Sequence, residues 1–244
     1  MIGRTTKRVA YLLMAIAGIG AGASCNRDAA PAEPTALVDP DDWPSFGRTA
    51  GEQHYSPLDQ IDLDSVSKLG LAWHYDLRPE NTLTAPVEAD GKLFITTGHS
   101  YIRALDAVSG KLLWEYDSKT REQSGMHLRL GWGSKGIAYW NGRVFLGTQD
   151  GRVISLDADS GKVVWQKRDF DPKELRYING PPRVFDGKLI VGHGGADVQP
   201  VRGYVTAYDA MSGQQLWRFF TVPGNPADGF ESEAMRKAAA TWKG

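Results

Sequence analysis

The residues best equipped for chemistry fall in one stretch, Gly192-His193-Gly194-Gly195-Ala196-Asp197, which runs on through Arg202 to Asp209. Asp197 supplies a carboxylate, the hard oxygen donor that a cation such as Ca²⁺ takes. Gly194 and Gly195, followed by Ala196, lack the side chains that would hold a backbone away from a flat ligand or a metal. The stretch reads as a β-hairpin with a lengthened turn. Ten residues separate Thr96 from Asp106 and ten separate Gly147 from Asp157, but seventeen separate Gly192 from Asp209. Long loops on a regular scaffold are where function concentrates, although a solvated loop with a surface aspartate would show the same spacing.

A second set of positions comes from counting along the strands. Each unit has a strand before an Asp-Gly or Asn-Gly turn, and in a propeller that strand runs nearest the axis. Eight residues back from Gly91, Gly142 and Gly187 lie Leu83, Ser134 and Asn179, with Lys135 one step beyond Ser134. These positions are expected to converge at one mouth of a central channel. The five histidines, His54, His74, His99, His127 and His193, show no metal-ligand spacing, and only His193 lies beside the long loop.

The elements that must position these residues are repeats. Three segments align: Asp90-Gly91 to Trp114, Asn141-Gly142 to Trp165, and Asp186-Gly187 to Trp217. Their aspartates, Asp106, Asp157 and Asp209, recur at spacings of 51 and 52 residues. Short β-rich runs split by Asp-Gly, Asn-Gly and Ser-Gly turns are hairpin punctuation. Units of ~40–50 residues with this make-up predict four-stranded propeller blades. The repeated aspartates are expected to bond turn amides, and the glycines to supply positive φ. Trp114, Trp165 and Trp217 are expected to pack between neighbouring blades. An earlier partial copy, Leu71-Ala72-Trp73-His74-Tyr75, supplies only a last strand. Glu231 to Trp242 has helical character, with Met235, Ala238, Ala239 and Trp242 on one packing face.

Composition excludes several classes. A net charge of -1 implies no nucleic-acid partner, and a single cysteine rules out an intrachain disulfide framework. Residues 1–24 read as a secretory signal: Arg4, Lys7 and Arg8 precede an apolar run from Val9 to Ile19, and small residues follow. Cys25 after Gly22-Ala23-Ser24 resembles a bacterial lipoprotein box, with Gly22 where leucine is usual, and would tether the chain to a membrane. Cleavage after Ala23 with Cys25 incidental is the other reading. Residues 25–42 read as a proline-rich acidic tether, leaving 43–244 for the propeller. About 200 residues make three blades and the start of another, whereas a propeller closes with at least about four. The fold class is therefore all-β, a partial β-propeller of three to four four-stranded blades.

These residues carry a resemblance. Tyr55-Ser56-Pro57-Leu58, Gln60-Ile61, the Trp repeats, Val201-Arg202-Gly203-Tyr204-Val205-Thr206-Ala207-Tyr208-Asp209-Ala210 and Leu216 to Gly224 resemble the N-terminal part of a pyrroloquinoline-quinone (PQQ)-dependent alcohol dehydrogenase, of the methanol and ethanol dehydrogenase family. The likeness implies an eight-bladed propeller with the quinone and Ca²⁺ on its axis. It implies that Asp197, after Gly194-Gly195-Ala196, stands where a calcium-ligating glutamate belongs, one methylene shorter in reach. Lys135 falls where an arginine lies beside the quinone carbonyls, as a point charge without the guanidinium fork. Asn179 falls where a threonine bonds the quinone. Leu83 replaces a quinone-contacting glutamate, and Arg129 and Leu130 replace a vicinal cysteine pair.

The resemblance implies periplasmic oxidation of small alcohols, with electrons passing to a cytochrome c-type acceptor or to haem c on a C-terminal domain that this chain does not contain. It places the catalytic base, an asparagine calcium ligand and a tryptophan floor beyond Gly244, so no catalytic residue is assigned and the chain alone is expected to be inactive. The other reading is a non-catalytic exported propeller, such as an outer-membrane assembly lipoprotein; Leu83 and the Cys25 box favour it.

Overall fold

The computed structural model describes residues 39–77, 84–125, 134–171, 173–196 and 200–242. Residues 1–38, where the expected leader and most of the expected tether fall, lie outside them, as do Leu83, Arg129, Leu130 and Asp197. Among the described residues no helix is long and apolar enough to cross a membrane.

Three four-stranded antiparallel sheets follow in chain order. The first comprises β1 (Val87–Ala89), β2 (Lys92–Thr97), β3 (Tyr101–Asp106) and β4 (Leu112–Asp117). The second comprises β5 (Ala138–Trp140), β6 (Arg143–Gly147), β7 (Arg152–Asp157) and β8 (Val163–Arg168). The third comprises β9 (Arg183–Phe185), β10 (Lys188–Gly192), β11 (Tyr204–Asp209) and β12 (Gln215–Phe220). Each first hairpin turns on a residue pair with positive φ at both positions, Asp90-Gly91, Asn141-Gly142 and Asp186-Gly187. That is the mirror-image turn matching the twist of paired strands.

The repeated aspartates are turn residues, as their spacing predicts. Asp157 Oδ1 accepts from the Ser160 amide at 2.9 Å and the Ser160 hydroxyl at 2.7 Å. Asp106 does the same with Ser109, and Asp209 with Ser212. Hydrogen bonds to Ser160 hold the Asp157 carboxyl below its usual range, and the other two aspartates follow suit.

The tryptophans form a directional chain between blades. Trp73 Nε1 donates to the Ala107 carbonyl at 3.1 Å, Trp114 to Ala158 at 2.9 Å and Trp165 to Ala210 at 3.0 Å. Each ring covers the turn glycine of the blade that follows. A Cβ on Gly161 would lie 2.6 Å from the Trp114 ring, and one on Gly213 2.7 Å from Trp165. Burying an indole removes roughly 200 Å² from water, worth about 5 kcal/mol as an upper bound. Trp73 docks this way although residues 71–77 form no strand.

The core lies between the sheets. Phe94, Ile102 and Trp114 meet Ile137, Val144, Leu146 and Ile154 between the first and second. Phe145, Val153 and Trp165 meet Ile178, Leu189, Val191 and Tyr208 between the second and third. Trp217 departs from its expected packing. It is 42% exposed and lies beside exposed Leu216 and Phe219, because no sheet among the described residues follows β12. Helix α2 (Glu233–Thr241) is capped by Ser232, which accepts from the Met235 amide, and Met235 is buried. Trp242 is the C-cap and 61% exposed, so the packing face expected to include it stops short.

Candidate functional site

The segments that lead into the inner strands are joined through their backbones. The Lys135 amide donates to the Asn179 carbonyl at 2.7 Å, and the Ala85 amide donates to the Lys135 carbonyl at 3.3 Å. Ala85 and Gly136 form a parallel bridge. The space between strands is tight: a Cβ on Gly136 would lie 2.9 Å from Pro181. Three neighbouring blades thus bring the backbones of Ala85, Lys135 and Asn179 side by side. The Lys135 side chain is exposed and Asn179 is half-buried.

A neighbouring turn fixes Ser134. His99 and Ser100, between β2 and β3, both carry left-handed backbone, with φ of 59° and 61°. Such strain in non-glycine residues persists only where the surroundings impose it. Buried Ser100 Oγ accepts from the Ser134 amide at 3.2 Å, and the Ser134 hydroxyl donates to the Gly136 carbonyl at 2.7 Å. Helix α1 (Thr120–Gln123) packs on the same turn.

The long loop meets this mouth through one extended segment. Tyr177 and Gly194 exchange backbone hydrogen bonds at 3.4 and 2.8 Å. Two residues further on, Asn179 meets Lys135. Segment 176–179 therefore joins the loop to the inner-strand mouth, and it brings Gly194, Asn179 and Lys135 into one neighbourhood. Gly195 is buried and Ala196 exposed. Asp197 lies outside the described residues, so its direction is not part of this geometry.

The loop glycines also let the chain pack closely on itself. A Cβ on Gly194 would lie 2.5 Å from Tyr177 Cζ, and one on Gly195 2.6 Å from the Leu175 carbonyl. Their missing side chains let the loop press on Leu175–Tyr177 and leave that space to the chain itself. Gly195, with φ of 120°, also needs a conformation that L-residues rarely adopt.

Under the loop lies a polar network. Asp169 Oδ1 accepts from the Tyr208 hydroxyl at 2.5 Å and from Arg218 Nη2 at 3.0 Å. Burial and the Asp169 carboxylate push the Tyr208 hydroxyl up, beyond physiological titration. His193 is half-buried against Tyr204, with ring centroids 4.1 Å apart. Its pKa is lowered chiefly by burial, with the nearby Arg176 charge adding to the effect.

Polar atoms without partners test whether this mouth fits a quinone. Thr84 Oγ1, His99 Nδ1 and Ser124 Oγ are buried and have no hydrogen-bond partner among the described residues. Such groups cost about 1–3 kcal/mol each unless a ligand or water satisfies them. Thr84 precedes Ala85, His99 precedes Ser100, and Ser124 ends α1, so all three belong to the elements that build the mouth. The hydroxyls of Thr84 and Ser124 and the Lys135 ammonium can each donate to a ligand oxygen. Counting singled out Lys135 and Asn179 but passed over Thr84, His99 and Ser100. The metal side is less complete: no cluster of three or more His, Cys, Asp or Glu side chains able to hold a metal occurs among the described residues. A cleft lined by Phe46, Glu52, Tyr139 and Arg183 beneath the N-terminal segment includes none of the expected residues.

The comparisons with known proteins agree with this architecture. The family model for the PQQ-type glucose/ethanol/alcohol dehydrogenase β-propeller domain matches residues 43–244. The chain is 45% identical over 204 residues to quinohemoprotein alcohol dehydrogenase ADH IIB of Pseudomonas putida, covering 83% of this chain and 29% of that protein. It is 46% identical over 215 residues to the dehydrogenase subunit of the alcohol dehydrogenase (quinone) of Gluconobacter oxydans, covering 83% and 28%. The crystal structure of quinohemoprotein alcohol dehydrogenase from Comamonas testosteroni superposes with a TM-score of 0.78 at 42% identity, covering 86% of this chain and 31% of that one. The chain thus spans less than a third of the length of these relatives. With its three tryptophan-linked blades, it belongs to the PQQ-type glucose/ethanol/alcohol dehydrogenase β-propeller family.

Proposed function

We propose that this chain is the N-terminal portion of a PQQ- and Ca²⁺-dependent alcohol dehydrogenase exported to the periplasm. The observation that carries the reading is the junction of Lys135, Asn179 and Gly194 through segment 176–179, inside a propeller of the matching family. Bound quinone would supply the two-electron acceptor for a hydride from the alcohol, with Ca²⁺ as a Lewis acid on its oxygens.

The chain's own residues bind and orient. Lys135 places a positive charge at the mouth, able to hold a quinone oxygen as negative charge develops there. Asn179 offers an amide beside it, and Thr84 and His99 add polar atoms that lack other partners among the described residues. Gly194, Gly195 and Ala196 lead the backbone to Asp197, whose carboxylate is proposed as the one metal ligand from this part of the protein. One carboxylate falls short of the six to eight oxygens that Ca²⁺ takes. The remaining ligands, the base and the route of electrons to a cytochrome or to haem c are assigned to the remainder of the protein. Export through the leader and attachment through Cys25 complete the proposal.

The test uses the full-length gene product. With added quinone and Ca²⁺ it should oxidise small alcohols in a dye-coupled assay, and Asp197→Ala should abolish Ca²⁺ activation. Absence of both quinone binding and Ca²⁺-dependent activity would overturn the reading in favour of a non-catalytic exported propeller.

A further inference from the structure

Further along, the strands that open at the mouth are joined again, by the N-terminal segment 43–54. Trp43 and Glu88 exchange backbone hydrogen bonds at 3.0 and 2.9 Å, so the segment pairs with β1 on the edge away from β2. Glu52 then pairs with Arg183 of β9, and the Arg183 guanidinium lies 4.7 Å from the Phe46 ring centroid. Between these anchors the segment passes over β5, leaving a cleft of about 290 Å³ lined in part by Ile137, Ala138 and Tyr139. It therefore crosses from the first sheet to the third.

The segment is shaped by its own contacts as well as by its anchors. Arg48 is 9% exposed, and its guanidinium donates to the carbonyls of Asp42, Asp39 and Pro40 at 3.2, 3.3 and 3.2 Å. Arg48, Glu52 and His54 all hold left-handed backbone, with φ of 72°, 45° and 53°. Non-glycine residues keep such backbone only where their surroundings impose it. A Cβ on Gly47 would lie 2.3 Å from Glu52 Cα, so the loop is folded tightly on itself. A preformed loop with two anchors can fix the separation of the strands it joins.

Both anchors lie on the strands that build the mouth. Glu88 is four residues beyond Thr84, Arg183 four beyond Asn179, and Ile137 two beyond Lys135. We propose that segment 43–54 is a strap, latched by Glu52 and Arg183, that sets the spacing of the inner strands and so positions Thr84, Lys135 and Asn179 for the quinone. Glu52 and Arg183 are positioning residues, acting through the strands rather than by touching the ligand. The inference rests on the reading of that mouth as the quinone site. The latch side chains are 40% and 37% exposed, so salt screens the pair and its hold is graded rather than locked.

The experiment follows amide hydrogen exchange in the quinone-free full-length gene product by mass spectrometry, then quinone affinity by fluorescence titration. Arg183→Leu and Glu52→Ala each remove one half of the latch, and Arg183→Lys retains the charge beside Glu52 and Phe46. Exchange at the Lys135 and Ala85 amides, which bond between strands, should quicken about three- to ten-fold in Arg183→Leu and Glu52→Ala, the scale of one exposed ion pair with a ring contact. Buried amides of β7 should keep the unaltered rate, which separates loosening of the mouth from general destabilisation. Quinone should bind about three- to ten-fold more weakly in the same two variants, whereas Arg183→Lys should stay within about two-fold on both readouts. The double variant should be no worse than the more affected single one. Unchanged exchange at Lys135 and Ala85, or equal quickening in β7, would overturn the strap. Should Arg183→Leu fail to fold, the exposed Glu52 side chain still allows Glu52→Ala to decide. Lys135→Ala separates the layers: unchanged quinone affinity there would sink the quinone reading itself, whereas a loss there beside unaffected latch variants would sink the strap alone.

Discussion

The Lys135 amide donates to the Asn179 carbonyl at 2.7 Å, joining the approach to β5 with the approach to β9. The bond is between backbones, so it fixes where both side chains start without using either. Substituting the exposed Lys135 side chain should therefore spare the fold. Lys135→Ala in the full-length gene product should weaken quinone binding roughly 10- to 100-fold, the scale of one charge-assisted hydrogen bond. Lys135→Arg should retain most of it. Fluorescence titration with quinone, read beside the melting temperature, checks both; unchanged binding in Lys135→Ala would remove this residue from the site.

Gly161 and Gly142 both have positive φ, of 67° and 70°, but different surroundings. A Cβ on Gly161 would strike the Trp114 ring, whereas one on Gly142 would meet nothing within 4 Å. Gly142→Ala should cost about 1 kcal/mol from backbone conformation alone. Gly161→Ala should cost about 1–3 kcal/mol more through overpacking. Urea unfolding followed by tryptophan fluorescence ranks the two, and equal midpoints would contradict the docking.

Asp169 is buried, and its carboxylate Oδ1 accepts from Tyr208 and Arg218. Its Oδ2 already lacks a partner among the described residues. Tyr208→Phe removes a donor without changing the ring, and should destabilise by about 1–3 kcal/mol. The effect should appear as a lower unfolding midpoint with an unchanged denaturant slope.

The three turn aspartates fix a response to acid. Their carboxyls are held below the ordinary 3.8 by serine hydroxyl and amide donors. A depressed folded-state value adds stability that is fully present above the unfolded value and disappears as pH falls through the folded one. Stability should therefore be flat with respect to these groups near neutrality and decline below about pH 4. Asp157→Asn should flatten its share of that decline; an identical acid profile would show that the turn bonds do not couple to folding. All three are exposed to solvent, so each share is small.

Strands, turns and the roles of Asp157 and Trp165 were legible because the repeat states them three times in matching contexts. The length of the loop after Gly192 was legible for the same reason, as a departure from two shorter copies. The strap over residues 43–54 was not, because it is irregular and without periodicity, and its partners Glu88 and Arg183 come from two other stretches of chain. The contacts of Gly194 and Gly195 with Leu175 and Tyr177 were not legible, because a missing side chain signals close approach without saying to what. Trp217 and Trp242 show the complementary limit: apolar type marks a residue able to be buried, but burial needs a surface opposite it.

The tryptophan contacts also give the molecule a polarity. Trp114 and Trp165 leave the last strands of their sheets, Trp73 leaves an extended segment, and each settles on the Ala carbonyl and glycine of the turn in the sheet that follows. A defect in one turn should thus be felt first in the blade before it. Damage at Gly161 would loosen the grip of Trp114 while the sheet that contains Gly161 keeps its own Trp165 seated. Local opening should then travel from later blades toward earlier ones, a one-way dependence of neighbours along an otherwise regular array.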